Sequence, residues 1–198
     1  MQPAIDAFRA SVARVRHLGG IHKAVNHIAT NALDPSDILR AQIVLIVSAM
    51  DYYVHEATAI GMTEVFEGKR PKTDAFSRFK VSIGAVPIAP ALQSGWFEGE
   101  VRDRHSFLSF QQPEKIADAI RLFTSIKIWS RIGELLNQKE ADLKAKLTLI
   151  VGRRNKIAHE ADIDPSYPGL RWPILEQDVE IAIDFIEQIV EAMHEAIK

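Results

Sequence analysis

The sequence predicts an all-α protein: a helical bundle with two long N-terminal helices, an irregular middle and two long C-terminal helices. Three observations carry this. Apolar residues recur at steps of three and four near both ends of the chain. No stretch alternates polar and apolar over a useful length, and no repeat is visible. The residues that interrupt helices gather between positions 82 and 112. At 198 residues, with 47% hydrophobic and 25% charged, the chain is long enough to bury a sizeable core, and it is read as one domain over residues 1–198.

The elements follow in order. In the first helix Ile5, Phe8, Val12, Val15, Leu18, Ile21, Val25 and Ile28 share a stripe, and Gly19-Gly20 is expected to kink or break it. "DPSD" is a start signal, with Asp34 as N-cap and Pro35 at the first helical position. The second helix should run from about 35 to about 66, with Leu39, Ile43, Ile46, Met50, Val54 and Ala57 on one face. "EGKRPKTD" ends it. In "SIGAVPIAPALQSGW", Gly84, Pro87, Pro90 and Gly95 keep any helix short. A helix restarts at Pro113, and "SIKIWSRIGELLN" follows as another. A long helix is expected at roughly 138–160, then a loop with Pro165, Pro168 and Pro173. The closing helix turns Val179, Ile183, Ile186, Val190 and Met193 inward and its acids outward.

Composition excludes several classes. With no cysteine there is no disulfide framework, no thiolate nucleophile and no thiolate metal site, which suits a reducing cytosol. "MQPAIDAFRASVARVRHLGG" has no apolar core of a signal peptide, and "AQIVLIVSAM" is too short and too charge-flanked to span a bilayer. A cytoplasmic protein without membrane attachment is expected. The net charge of −2 gives no general attraction for nucleic acid. Its distribution is uneven: residues 68–80 and 139–160 are basic, and residues 176–198 are acidic. Such faces either steer a polyanion to one side or are ordinary solvated helix surfaces.

"RRNKIAHEAD", residues 153–162, raises a sharper question. With Leu147 at 0° and 100° per residue, Leu143 falls at about 320°, Val151 at about 40° and Arg154 at about 340°. That places a guanidinium in the middle of the buried face. Asn155 and His159 fall at about 80° and 120°, neighbours on one edge, with Arg153 and Lys156 on the more exposed side. A buried arginine keeps its proton and needs an acceptor. Two readings stay open here. One is a structural arginine–carboxylate pair, with His159 as a cation favoured at the helix C-terminus. The other is a cleft in which Arg154 binds a phosphate and His159 moves protons.

Asp51, on the second helix, is the candidate acceptor that holds Arg154 or orients His159; otherwise it is a surface acid paired with a neighbouring base. Asp51 and His55 stand at i, i+4 and could ligate a metal, but no third ligand is evident, so no metal or other cofactor is expected. His17, His22, His27, His105 and His194 are scattered and read as surface or partly buried. Trp96, Trp129 and Trp172 read as core or interface anchors.

"RRNKIAHE", near the end of a long helix and before a last amphipathic one, resembles the signature of the HEPN superfamily: Arg, a polar residue that is often Asn, three variable residues, then His. "SFLSFQQPEKIADAIRLF…IKIW", "LTLIVGRRNKIAHEADI" and "DVEIAIDFIEQIV" together resemble its RiboL-PSP branch. "AQIVLIVSAMDYYVHEAT" is similar to the family's second helix, with an acid after an apolar run. The resemblance covers most of residues 35–195.

The resemblance implies a metal-independent endoribonuclease working as a C2 homodimer, with RNA as substrate, in a defence, toxin–antitoxin or stress system. An antitoxin or regulatory protein is then a further partner. It also implies roles. Arg154 would bind the scissile phosphate, His159 would act as general acid or base, and Asn155 would orient the group or contact RNA, with Asp51, Arg153 and Lys156 in support. The chemistry is coherent, because RNA supplies its own nucleophile, histidine shifts protons near neutral pH and arginine stabilises phosphate charge. The other class is a non-catalytic helical dimer that binds a protein or nucleotide; the complete motif favours the enzyme.

Overall fold

The amphipathic periods of the sequence come out as helices. The structure is a computed structural model that describes residues 1–28, 33–88, 95–167 and 169–198. The breaks expected at Pro90 and Pro168 lie outside the described residues. Among the described residues the strand-like pairing is one isolated bridge, Ile163 to Arg171.

Helix α1, Gln2–Ile28, runs unbroken through Gly19-Gly20, against the kink expected there. The reason is a close approach. A Cβ on Gly19 would sit 3.0 Å from Gln42 Nε2, the amide that donates to the Val15 carbonyl at 2.9 Å. Helix α2, Ser36–Phe66, starts one residue later than read: Pro35 stands just outside, and Asp34 accepts from the Ser36 N–H at 2.9 Å. It stops at Gly68, whose φ of 76° lets Lys69 N–H reach the Glu64 carbonyl and Gly68 N–H reach Val65.

α2 also corrects the reading of its apolar run. The whole helix is long and apolar enough, by length and composition, to cross a membrane. Here more than half of that surface is core. α2 packs against α1 and the later helices α4 (Gly95–His105), α5 (Pro113–Arg121), α7 (Glu140–Glu160) and α8 (Glu176–Ile197). Ile46, Met50 and Tyr53 are fully buried in one cluster with Phe8, Leu147 and Ile186.

The middle is more helical than expected. After the short α3, Asp74–Ser77, and a 3-10 turn at Ile83–Ala85, α4 is 11 residues long. It is built on Phe97 and Val101, one turn apart and buried. α6, Ile128–Leu136, is fixed by Trp129, whose Nε1 donates to the Pro113 carbonyl at 2.8 Å. Trp96 packs edge-on to Phe66, so both tryptophans are anchors as read.

α1 and α8 run antiparallel and are zipped by charge. Arg9 forms two 2.7 Å bonds to Glu191, Arg16 binds Asp184 and Glu187, and Lys23 binds Glu176 and Glu180. Much of the acidic face of α8 is therefore spent inside the molecule. These exposed pairs add little stability each.

α7 ends with two consecutive left-handed residues, Ala161 at φ 50° and Asp162 at φ 59°. Neither is glycine, and each costs roughly 1–2 kcal/mol in this conformation. The turn delivers Asp162 beneath the helix with no exposure. There its Oδ2 accepts from Arg40 Nε and from Arg153 Nη2, both at 2.8 Å. The chain then returns as a narrow hairpin. Trp172 N–H donates to the Asp162 carbonyl at 2.8 Å, Asp164 N–H donates to Leu170, and Arg171 pairs with Asp34 and Asp37 at the start of α2.

Asp162→Asn should cost on the order of 3–5 kcal/mol, because two guanidinium groups lose their shared counter-charge in a buried place. Asparagine tolerates the left-handed backbone, so the loss reports the charge. Urea unfolding measures it; a midpoint within error of wild type would show that the clamp carries no stability.

His105 supplies a second expectation. Its ring packs between Phe79 and Phe110, and its Nδ1 is buried without a partner among the described residues. Burial pushes its pKa down from 6.5 to about 4, with the like charge of His55 adding to the effect. Between those values the unfolded chain binds a proton that the folded chain does not, so stability falls as pH drops through the window and this contribution levels off below about 4. Unfolding free energies at stepped pH should show a shallower slope between 6.5 and 4 for His105→Gln than for wild type. Parallel curves would refute the assignment.

Candidate functional site

The apolar stripe of α7 is buried through Leu143, Leu147 and Val151. Arg154 is the next residue on that stripe, three after Val151, but it is only half-buried. Ile157 is half-buried and Ala158 exposed. The expectation of a guanidinium in the middle of the buried face is therefore corrected: the bundle stops covering this side of α7 after Val151. The last two turns are held on another side, by the returning hairpin. Arg153 Nη2 reaches the carbonyls of Trp172 and Pro173, and Lys156 Nζ sits 4.9 Å from the Trp172 ring centroid. By the helical repeat that side is about 100° or more from Arg154.

The structural arginine pair exists, but Arg153 makes it. Sequence periodicity had placed Arg153 on the exposed side; the structure draws it onto Asp162 beside Arg40. Burial lowers its pKa, Asp162 opposes that, and the neighbouring charge of Arg40 adds to it. Arg154 is left differently placed. Its Nη1 donates to its neighbour Asn155 Oδ1 at 3.0 Å. Its Nε is buried with no partner, and it makes no ion pair among the described residues. An adjacent arginine that has taken the available carboxylate leaves Arg154 with unused donors, the condition for binding an outside oxyanion.

His159 lies one turn beyond Asn155 on the same edge and is exposed. The structure thus brings Arg154 and Asn155 into contact and sets His159 beside them. It does not bring Asp51 to them. The Asp51 carboxylate accepts from Phe110 N–H at 2.6 Å and Gln111 Nε2 at 2.9 Å, with His55 Nε2 3.7 Å away. The expected role of holding Arg154 or orienting His159 is corrected: Asp51 anchors the segment after α4. The reason is distance along α2. Arg40 marks the level at which α7 ends, and Asp51 lies 11 residues further on, about 16 Å. Asp51 and His55 find no third ligand, and no group of three metal-binding side chains occurs among the described residues.

Asp162 and Arg40 are the residues that sequence reasoning missed. Arg40 left a signal: a lone arginine within the apolar "DILRAQIVLIV" demands a buried acceptor. Asp162 left none, since an acid just past a helix end reads as solvated. Of the scattered histidines, His22, His105 and His194 are buried, and His194 Nδ1 lies 3.3 Å from Tyr53 Oη.

The RiboL-PSP-HEPN family model matches residues 10–198. No curated protein and no solved structure gives a match. HEPN domains are associated with nuclease or nucleotide-binding roles. The matched span takes in the core helices, the α7 motif and the hairpin that holds it, and the chain belongs to the RiboL-PSP-HEPN family.

Proposed function

We propose that this chain is a metal-independent endoribonuclease that works as a two-fold homodimer. The observation that carries the reading is the division of labour between adjacent arginines: Asp162 takes Arg153, and Arg154 has no carboxylate among the described residues. Arg154 binds the scissile phosphate and stabilises the charge that grows on it. Asn155, hydrogen-bonded to Arg154, holds the guanidinium in line. One His159 removes the proton from the RNA 2′-OH, which attacks the adjacent phosphorus. The bond from phosphorus to the 5′-oxygen breaks, and the His159 of the second copy protonates that oxygen. The products are a 2′,3′-cyclic phosphate and a 5′-hydroxyl.

One motif supplies one arginine and one histidine; two-fold pairing doubles both. The edge of α7 that bears Asn155 and His159 also bears Ala145, Thr148 and Gly152. These are small, and a Cβ on Gly152 would meet nothing within 4 Å, so a second α7 has room to approach. The setting that fits is a cytoplasmic defence, toxin–antitoxin or stress system with a protein antitoxin or regulator.

Purified protein should cut RNA in the presence of EDTA and leave cyclic phosphate ends. His159→Ala should lower the rate by on the order of 10²–10⁴ with the fold retained by circular dichroism. Activity lost in EDTA and restored by magnesium would sink the reading; intact RNA with wild-type protein would favour the non-catalytic dimer.

Mixing subunits tests the shared site. With Arg154→Ala protein titrated into wild type at constant total, activity should fall as the square of the wild-type fraction, so an equal mixture keeps roughly a quarter. A linear fall to half would mean independent sites.

A further inference from the structure

A second surface lies further along α2 from the point where α7 ends. The chain leaving α4 is pinned there by Asp51 through Phe110 and Gln111. Phe110 turns inward, its ring 4.5 Å from that of His55 and 5.4 Å from that of His105. Phe107, three residues earlier, points the other way and is 93% exposed, with Leu108 beside it 50% exposed. A single exposed ring means little by itself. This one is held on an anchored segment, beside a second segment that carries two cations without ion pairs among the described residues.

Phe79 packs on His105 with centroids 5.8 Å apart, and Ser82 binds Glu100 through both its N–H and its hydroxyl. Residues 79–82 therefore run beside the last turns of α4, where Phe107 emerges. Arg78 and Lys80 flank Phe79. Both are exposed, and neither makes an ion pair among the described residues. Their neighbours differ: Lys69 is paired with Glu67 at 2.6 Å and Arg70 with Glu64 at 2.5 Å. Arg104 and Arg102 are likewise neutralised, by Glu100 and by Glu56 with Glu98. Asp103 is the exposed acid of this end.

The placement relative to the motif follows from α2. Asp51 and Arg40 differ by 11 residues, so they lie about 16 Å apart and within about 20° on one face. Arg40 is tied to the end of α7, Asp51 to the segment bearing Phe107.

We infer that Phe107, with Arg78 and Lys80, forms a contact for single-stranded RNA: the ring stacks a base, and the two cations take the flanking phosphates, remote from the scissile bond. The substrate class rests on the ribonuclease reading above. Stacking on a phenyl ring accepts any base, so the contact sets the length of strand bound and leaves its sequence open.

The test uses fluorescein-labelled RNA 12-mers on the His159→Ala protein, which holds the strand uncut, read by anisotropy. Phe107→Ala should weaken binding by about tenfold, and Phe107→Trp should restore it. Arg78→Ala and Lys80→Ala should each lower the slope of log affinity against log salt by about 0.7. With His159 intact, Phe107→Ala should reduce kcat/KM for the 12-mer and leave that for a trinucleotide unchanged. Unchanged 12-mer affinity, or equal loss on both lengths, overturns the proposal. A shift in subunit mass by light scattering with unchanged RNA affinity assigns the ring to a protein contact and also overturns it. If 12-mer affinity needs Phe107 but no RNA is cut, the nuclease reading fails and this contact stands.

Discussion

A carboxylate without solvent exposure, shared by two guanidinium groups, sets the geometry of the C-terminal half of this protein. Asp162 reaches its place only because α7 ends in two left-handed residues, a conformation that side chains other than glycine adopt at a cost. The cost is sustained because Arg40 and Arg153 converge on one oxygen. Their remaining donors then find carbonyls of the hairpin and the Ser36 hydroxyl. One interaction thus joins the start of α2, the end of α7 and the loop before α8. It also fixes the last turns of α7, where His159 is exposed one turn beyond the half-buried Arg154 and Asn155.

Two adjacent arginines of the same type end in opposite conditions because they leave a helix about 100° apart. One turns toward a fixed acid; the other, half-buried, has only an amide for company among the described residues. On the nuclease reading proposed above, a cation kept ready for phosphate has to be denied to the protein's own acids. Here the nearby acid is already occupied. The same accounting holds elsewhere: Arg9, Arg16 and Lys23 match Glu176, Glu180, Asp184, Glu187 and Glu191 of α8, and Glu56, Glu98 and Glu100 match the cations at the end of α4. Charge left over after this internal matching is more informative about partners than the net charge of −2.

The sequence by itself determined the long helices and the apolar faces that they bury. The order of long helix, long helix, irregular middle and two closing helices was legible because apolar spacing of three and four is a local property of the chain. The start of α2 was legible to within one residue, and the restart at Pro113 was legible for the same local reason. The motif on α7 was legible as a constellation, since helix geometry alone puts Asn155 and His159 on one edge. The tertiary structure decided who partners whom. Gly19-Gly20 looked like a break and is a close contact, because the neighbour Gln42 belongs to another helix. Asp51 looked like the acceptor for Arg154 but lies about 16 Å along α2 from Arg40, the residue that marks the end of α7, and it holds Phe110 and Gln111 instead, because the register between two packed helices is not written in either one. Arg153 looked solvent-facing, and Asp162 looked solvated. Asp162 is buried with Arg153 drawn onto it and with Arg40 brought from more than a hundred residues away. An ion pair between distant segments depends on where the whole chain brings them, and no local period carries that information.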